Sequence, residues 1–139
     1  MFKRIIVAID GSEHSYQALA HAQNLAECFG ATLWLVHAFP HTSDLLGYEA
    51  YASLVARRES AGQAILDEAR RRLGEVNFAV HEELMEEPAA EAILSVAETR
   101  QADLIVMGTR GLSSLQGLLL GSVSNKVIHH ASCPVMLVR

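Results

Sequence analysis

Short uninterrupted apolar runs alternate along this chain with longer amphipathic stretches, and the alternation predicts strands and helices in turn. The run Arg4–Ile9 is rich in Ile and Val, as is typical of strands that are covered on both faces in parallel sheets. Further strands are predicted from such runs at Thr32–Ala38, Asp103–Met107 and Pro134–Val138, and from apolar–polar alternation at Phe78–Leu84. The alternation indicates an α/β fold, an open parallel sheet with helices on both faces and right-handed crossovers.

The stretches between these runs repeat apolar residues at helical spacing. Ser12 is suited to cap the first helix, and Gly30 to end it. The second helix is predicted from about Ser53 to Leu73, with a stripe formed by Ala61, Ile65, Ala69 and Leu73. Pro88 suits the first turn of a third helix, and a fourth is predicted at Ser122–His130. Residues 39–52 have no clear period and are predicted to form a long loop.

Composition narrows the class of protein. A chain of 139 residues, half of them apolar and 19% charged, predicts one globular domain that spans residues 1–139. A net charge of −5 argues against nucleic-acid binding, which needs clustered Lys and Arg. The apolar runs are much shorter than the ~20 residues that span a bilayer. Because the first strand follows Met1–Arg4 without the apolar core of a signal peptide, a cytoplasmic location is expected.

A framework of glycines follows the fourth strand. The buried run ends at Gly108, Gly111 comes three residues later, and Gly121-Ser122 begins the fourth helical pattern. Glycine lets a ligand approach the backbone closely, and a helix start offers unpaired N–H groups that favour an anion. The framework predicts a site for a phosphorylated small molecule.

The spacing Gly-x2-Gly-x9-Gly-Ser resembles the nucleotide motif of the ATP-binding branch of the universal stress protein family. The opening F-K-R-I-I-V-A-I-D-G-S-E resembles the first strand and turn of that family. The segments D-L-I-V-M-G-T-R-G and A-S-C-P-V-M-L-V resemble its fourth and fifth strands, so the resemblance covers essentially all of the chain. It implies a Rossmann-like, five-stranded parallel sheet in the order 3-2-1-4-5, whose winding direction switches between strands one and four.

The resemblance also implies a ligand, ATP, and the residues that contact it. Asp10 would lie close to the nucleotide, where Mg²⁺ is the natural mediator between a carboxylate and phosphates. The backbone of Ala38 would meet the adenine edge, and Met107 would lie near the sugar or base. The remaining contacts, to ribose and phosphates, would come from Gly108, Arg110, Gly111, Gly121, Ser122, Val123 and Ser124. The implied role is a nucleotide-dependent sensor or regulatory module in the stress response, with an unidentified regulatory protein partner and a homodimer formed through Pro134–Val138.

Other interpretations stay open at this stage. Asp10 can be a turn or cap residue, and the glycines can be ordinary turn glycines. The chain has no G-x-x-x-x-G-K-[ST] loop and no evident general base, which argues against rapid phosphoryl transfer. Alternative functions are a slow ATPase, an enzyme that phosphorylates itself on Ser113 or Ser114, and an interaction module with an empty glycine loop.

Histidine and cysteine do not indicate a site of their own. Of the seven histidines, only His37 and His41 have a spacing that suggests a metal, and they span a predicted strand end rather than one helix face. Cys28 is predicted on the inward side of the first helix, and Cys133 precedes the fifth strand. Both are expected to be buried and inert thiols.

Overall fold

A computed structural model describes residues 1–41, 47–110 and 120–139 of the chain. Within them, strands and helices alternate as the apolar pattern predicts. The strands are β1 (Arg4–Ala8), β2 (Thr32–Phe39), β3 (Val80–Glu86), β4 (Leu104–Gly108) and β5 (Val135–Val138). The helices are α1 (Glu13–Phe29), α2 (Tyr48–Leu73), α3 (Ala89–Thr99) and α4 (Ser122–His130).

The five strands form one parallel sheet in the order β3-β2-β1-β4-β5, which confirms the predicted fold class and strand order. β1 lies at the centre, where Ile5, Ile6 and Val7 are completely buried. Alternate residues of β1 belong to different cores, because successive side chains of a strand point to opposite faces. Ile5 and Val7 pack with α1 and α2, whereas Ile6 packs with α3 and α4.

The ends of α1 follow the signals in the sequence. The Ser12 hydroxyl accepts a hydrogen bond from the Ser15 N–H, which satisfies one unpaired donor of the first turn. Gly30 adopts a left-handed conformation at φ 66°, and its N–H bonds to the Ala26 carbonyl. Cys28, however, is exposed near the end of this helix, so the prediction of a buried thiol there was wrong. Cys133 is partly buried.

The second helix differs most from its prediction. It begins at Tyr48, five residues before the expected start. Its buried stripe is Gly62, Leu66, Ala69 and Leu73, whereas Ala61 is exposed. The stripe is turned by one residue because Gly62 lies against β2 and β3, where a Cβ atom would be 2.7 Å from Leu84 Cδ1. A periodicity argument that weighs only large apolar residues misses a contact that depends on the absence of a side chain.

The third strand also lies two residues later than expected, at Val80–Glu86 instead of Phe78–Leu84. Phe78 packs against the core from the turn before the strand.

No helix in residues 1–41, 47–110 and 120–139 is long and apolar enough to cross a membrane.

Candidate functional site

A cavity of about 670 Å³, including the part that is open to solvent, lies at the carboxyl ends of β1, β2 and β4. This is the edge at which open parallel sheets bind ligands. Of the ten site residues predicted from the sequence, all but Gly111 line this cavity: Asp10, Ala38, Met107, Gly108, Arg110, Gly121, Ser122, Val123 and Ser124. Gly111 lies outside the described residues, as do Ser113 and Ser114.

One part of the cavity is apolar. Val36 and Met107 belong to the core on the α3 and α4 side of the sheet, and they lie at the ends of β2 and β4. Ile93 of α3 and Val123 of α4 line the same space. Because these side chains offer dispersion contacts and few hydrogen bonds, this part suits a flat apolar group such as an aromatic base.

Asp10 both shapes a turn and lines the cavity. One carboxylate oxygen, Oδ1, accepts from the Ser12 N–H at 2.9 Å and from the Ser12 hydroxyl at 2.5 Å. Gly11, at φ 87°, supplies the left-handed residue of that turn. Asp10 is therefore a turn residue, and this role is compatible with a ligand contact because the residue also lines the cavity.

The start of α4 forms the polar part. Gly121 is its N-cap and makes no side-chain capping bond. The first backbone N–H groups of a helix have no acceptor within it, so this end carries unpaired donors and the positive end of the helix dipole. Ser122 is exposed here and lines the cavity. Ser124, in contrast, is 2% exposed, and its hydroxyl donates to the Thr109 carbonyl at 2.8 Å.

The hydroxyl of Ser124 thus has a structural partner, which the sequence did not indicate. Together with a 2.6 Å bond from the Gly121 N–H to the same Thr109 carbonyl, it holds the start of α4 against the end of β4.

Gly108 also has a structural reason to be glycine. A Cβ atom at this position would lie 2.7 Å from His14 Cβ and 3.1 Å from the His14 carbonyl carbon. The first turn of α1 therefore packs directly on the end of β4. At Gly121 a Cβ atom would make only ordinary contacts, 3.4 Å to the Thr109 oxygen and 3.5 Å to Arg110 Cα. The glycine spacing predicts ligand approach at both positions, and packing against α1 is a sufficient reason for glycine at the first.

Arg110 supplies positive charge. Its side chain is half-buried, lines the cavity and has no hydrogen bond or ion pair with the rest of the described chain. A second cation, Lys126 of α4, bonds instead to Glu91 of α3 and links the two helices that wall the cavity. This bond holds the pKa of the Glu91 carboxyl below its usual value.

The two histidines with suggestive spacing do not converge. The His37 ring bonds to the Ile9 carbonyl, whereas His41 Nδ1 lies 3.1 Å from Glu86 Oε1 beside the Tyr51 hydroxyl. Among the residues that the structure describes, no group of three or more His, Cys, Asp or Glu side chains is arranged to hold a metal ion.

Sequence reasoning missed seven lining residues. Most lie beside predicted site residues at strand ends, or on α3. Helix α3 connects β3 to β4 along the chain and crosses the sheet between these two non-adjacent strands. The strand ends themselves were a usable signal, because every strand that reaches the switch point contributes its last residues. The seven are Ala8, Ile9, Ser15, Val36, His37, Ala89 and Ile93.

Comparison with known proteins decides the family. The model of the universal stress protein family matches residues 1–139, the whole chain. This chain belongs to the universal stress protein family. Among its relatives, it is 43% identical to the universal stress protein in the QAH/OAS sulfhydrylase 3′ region of Thermus aquaticus, with 100% of both chains covered. It is 36% identical to universal stress protein MJ0531 of Methanocaldococcus jannaschii, covering all of this chain and 83% of that protein.

Solved structures give the same fold for this universal stress protein. Hypothetical protein MJ0577 matches with a TM-score of 0.90 at 27% identity, over 99% of this chain and 96% of that one. A universal stress protein in complex with cAMP matches with a TM-score of 0.78 at 30% identity, over 99% of this chain and 97% of that one.

Proposed function

We propose that this universal stress protein binds ATP in the cavity at the ends of β1, β2 and β4. The observation that carries the proposal is the combination of an apolar part with a cationic part in one cavity. Val36, Ile93 and Met107 suit the base, and Arg110 with the start of α4 suits the phosphates. Such a division matches a molecule with an aromatic ring at one end and several negative charges at the other.

Mg²⁺ is the metal that fits the donor set. Asp10 is the one carboxylate among the described residues that line the cavity, and it would repel a triphosphate unless a cation lay between them. Magnesium is commonly held by one or two carboxylates together with phosphates and waters, so it does not need a cluster of protein ligands. We therefore expect Mg²⁺ to bind with the nucleotide and not before it.

Calorimetric titration of ATP into two variants, each of which lacks one arginine charge, tests this proposal. Arg110→Gln should weaken ATP binding by about tenfold to a hundredfold, because a hydrogen bond to a charged group contributes about 1.5–3 kcal/mol. Adenosine, which has no phosphate, should bind this variant as well as it binds the unmodified protein. Arg57→Gln is the matched control, since Arg57 is exposed on α2 and is not among the lining residues. No heat and no protection from melting with ATP and Mg²⁺ would refute the proposal.

A cyclic nucleotide is the second candidate ligand. It is favoured by the structural similarity to a universal stress protein in complex with cAMP. Both ligands share adenosine, so both would use the apolar part of the cavity, but cAMP brings one phosphate instead of three. Parallel titrations with ATP and cAMP distinguish them: a strong dependence on Arg110 and Mg²⁺ is expected for ATP only.

The role we infer is that of a sensor or regulatory module in the stress response, acting in the cytoplasm on a protein partner still to be identified. Slow hydrolysis of ATP is the enzymatic alternative. We expect turnover far below the range of about 1–10³ s⁻¹ that is typical of enzymes. Steady turnover near 1 s⁻¹ that is lost in Asp10→Ala would establish the enzyme instead.

We also propose a homodimer through β5, and the two edges of the sheet support it. β3, at one edge, carries Glu82 and Glu83, which pair with Arg70 and Arg100 and oppose association of edges. β5, at the other edge, is the uncharged run Val135–Val138. Pairing two copies of β5 about a two-fold axis would satisfy the open backbone groups of both.

Strand register selects the variant that tests the dimer. The carbonyls of Pro134 and Val138 accept hydrogen bonds from backbone N–H groups of Ile105 and Thr109. The backbone N–H and C=O groups of even-numbered residues of β5 therefore point towards β4, and those of odd-numbered residues point towards the edge of the described sheet. Leu137→Pro therefore removes a donor from the open edge, whereas proline at Met136 would break the internal ladder. Leu137→Ala is the control, since it shortens the side chain and keeps the N–H.

Light scattering should give twice the 15.1 kDa of one chain for the unmodified protein and for Leu137→Ala. Leu137→Pro should shift towards monomer. A monodisperse monomer of the unmodified protein at tens of micromolar would refute the dimer.

A further inference from the structure

A buried histidine lines the cavity and has no part in the binding scheme described above. His37 of β2 is 9% exposed and lines the cavity beside Ala38. Its Nδ1 lies 2.7 Å from the carbonyl oxygen of Ile9, the first residue after β1. A carbonyl oxygen can only accept, so Nδ1 must carry the proton. The bond therefore defines the tautomer of the ring.

The bond from His37 to Ile9 lies where the backbone hydrogen bonds between β1 and β2 end. The Thr32 N–H donates to the Lys3 carbonyl, and the Val36 carbonyl accepts from the Ile9 N–H. The backbone N–H and C=O groups of even-numbered residues of β2 therefore point towards β1. The Leu33 N–H, in contrast, bonds to Ala79 on the β3 side. The next residue of β2 that faces β1 is therefore Ala38. In a ladder that continued, its N–H would bond to the Ile9 carbonyl.

The imidazole takes that place. The paired register of β1 and β2 ends with Ala8 opposite Val36, and the Ile9 carbonyl accepts from the ring of His37. The backbone N–H and carbonyl of Ala38 then face the side where the cavity lies, and Ala38 lines it. No described residue outside the strand ladders bonds to these groups. Since an aromatic base presents donors and acceptors at its edge, a strand end of this kind is well suited to bind it.

The ring is held in this orientation by α2. Gly62 packs so closely that a Cβ atom there would be 3.0 Å from His37 Cδ2. The same atom would be 2.7 Å from Leu84 Cδ1, so Gly62 of α2 lies close to both the His37 ring and the β3 side chain Leu84.

We propose that His37 is a positioning residue for the base: its Nδ1–H occupies the Ile9 carbonyl and so leaves the backbone of Ala38 to the ligand. The first half of this inference is that the His37 Nδ1–H replaces the Ala38 N–H as the donor to the Ile9 carbonyl, and it is testable in the protein without ligand. The second half, the effect on binding of the base, rests on the proposed nucleotide function.

Two measurements on the unliganded protein test the first half. Nitrogen chemical shifts at about pH 8, where an ordinary imidazole is neutral, should show His37 protonated at Nδ1. In His37→Leu the ladder can extend, so hydrogen exchange of the Ala38 amide should slow by about tenfold or more. A proton on Nε2 of the neutral ring, or unchanged exchange at Ala38 in a folded variant, would overturn the inference.

Binding measurements test the second half. His37→Leu should weaken adenosine by about tenfold or more while inorganic tripolyphosphate, used as a probe of the phosphate end, binds as before. His37→Asn places an amide N–H close to the position of Nδ1 and should restore adenosine binding to within about threefold. A uniform loss of both probes, or no rescue by Asn, would mean that His37 acts on stability alone and would overturn the role. If the unmodified protein binds neither probe, the proposed function fails, and the tautomer and exchange results alone decide the inference.

Discussion

Gly108→Ala should destabilise the fold, although Gly108 stands in a motif that otherwise indicates ligand binding. The added methyl carbon would lie 2.7 Å from His14 Cβ. That is roughly 1 Å inside the separation of about 3.5–4.0 Å at which carbon atoms attract. The second contact, 3.1 Å to the His14 carbonyl carbon, involves backbone that cannot rotate away. Overpacking of this kind costs about 1–3 kcal/mol.

This cost converts into a measurable change in melting temperature. For 139 residues, the entropy of unfolding is about 0.3 kcal/mol/K, so the expected decrease is about 3–10 °C. Gly121→Ala is the control, because its methyl group would make ordinary contacts of 3.4 and 3.5 Å. Its φ of −75° is open to any residue, and loss of a glycine N-cap costs less than about 1 kcal/mol.

Thermal unfolding of the three proteins, followed by circular dichroism without nucleotide, decides between steric packing and ligand approach. We expect the order unmodified, Gly121→Ala and Gly108→Ala in decreasing stability. Equal melting temperatures for the two variants would refute the argument that α1 requires glycine at the end of β4. So would a Gly108→Ala protein as stable as the unmodified one.

Two further predictions follow from titrating groups. Alkylation at neutral pH should modify the exposed Cys28 well before Cys133. Partial burial and, to a lesser extent, nearby Asp103 raise the pKa of the Cys133 thiol, so less of it is present as the reactive thiolate. Equal alkylation rates of the two cysteines would contradict this prediction. Hydrogen bonds from Arg71 and Arg72 lower the pKa of Glu68 to about 2, so any stability from this carboxylate is present above its usual value of 4.5 and is lost as pH falls towards 2. An NMR titration should give that midpoint, and replacing both arginines with Ala should return it towards 4.5.

Local sequence information was sufficient for most of the architecture. Apolar runs identified four of the five strands in the described sheet, because a strand buried on both faces excludes most polar residues. The edge strand β3 was predicted from its alternation of apolar and polar residues instead. Ser12 and Gly30 marked the ends of α1, because capping depends on the chemistry of single residues. The strand order came from the family resemblance, since an alternating pattern by itself is compatible with several orders.

The site was predictable to the extent that it follows from strand ends. Asp10 was predicted from its place after β1, because parallel strands bring their carboxyl ends to one edge of the sheet. Ala38 and Met107, near the ends of β2 and β4, came from the family resemblance. Residues of α3 such as Ile93 were missed, because only the crossover between β3 and β4 brings that helix over the cavity.

Tertiary structure alone decided what several of these residues touch. Gly62 and Gly108 pack against neighbours far away in the chain, Leu84 and His14, and no local pattern marks a missing side chain as a contact. Ser124 and His37 each donate to a carbonyl of another segment, Thr109 and Ile9. The sequence determined which elements form, because periodicity and caps are properties of neighbouring residues. Their partners were decided by packing, because each contact joins residues that only the folded sheet brings together.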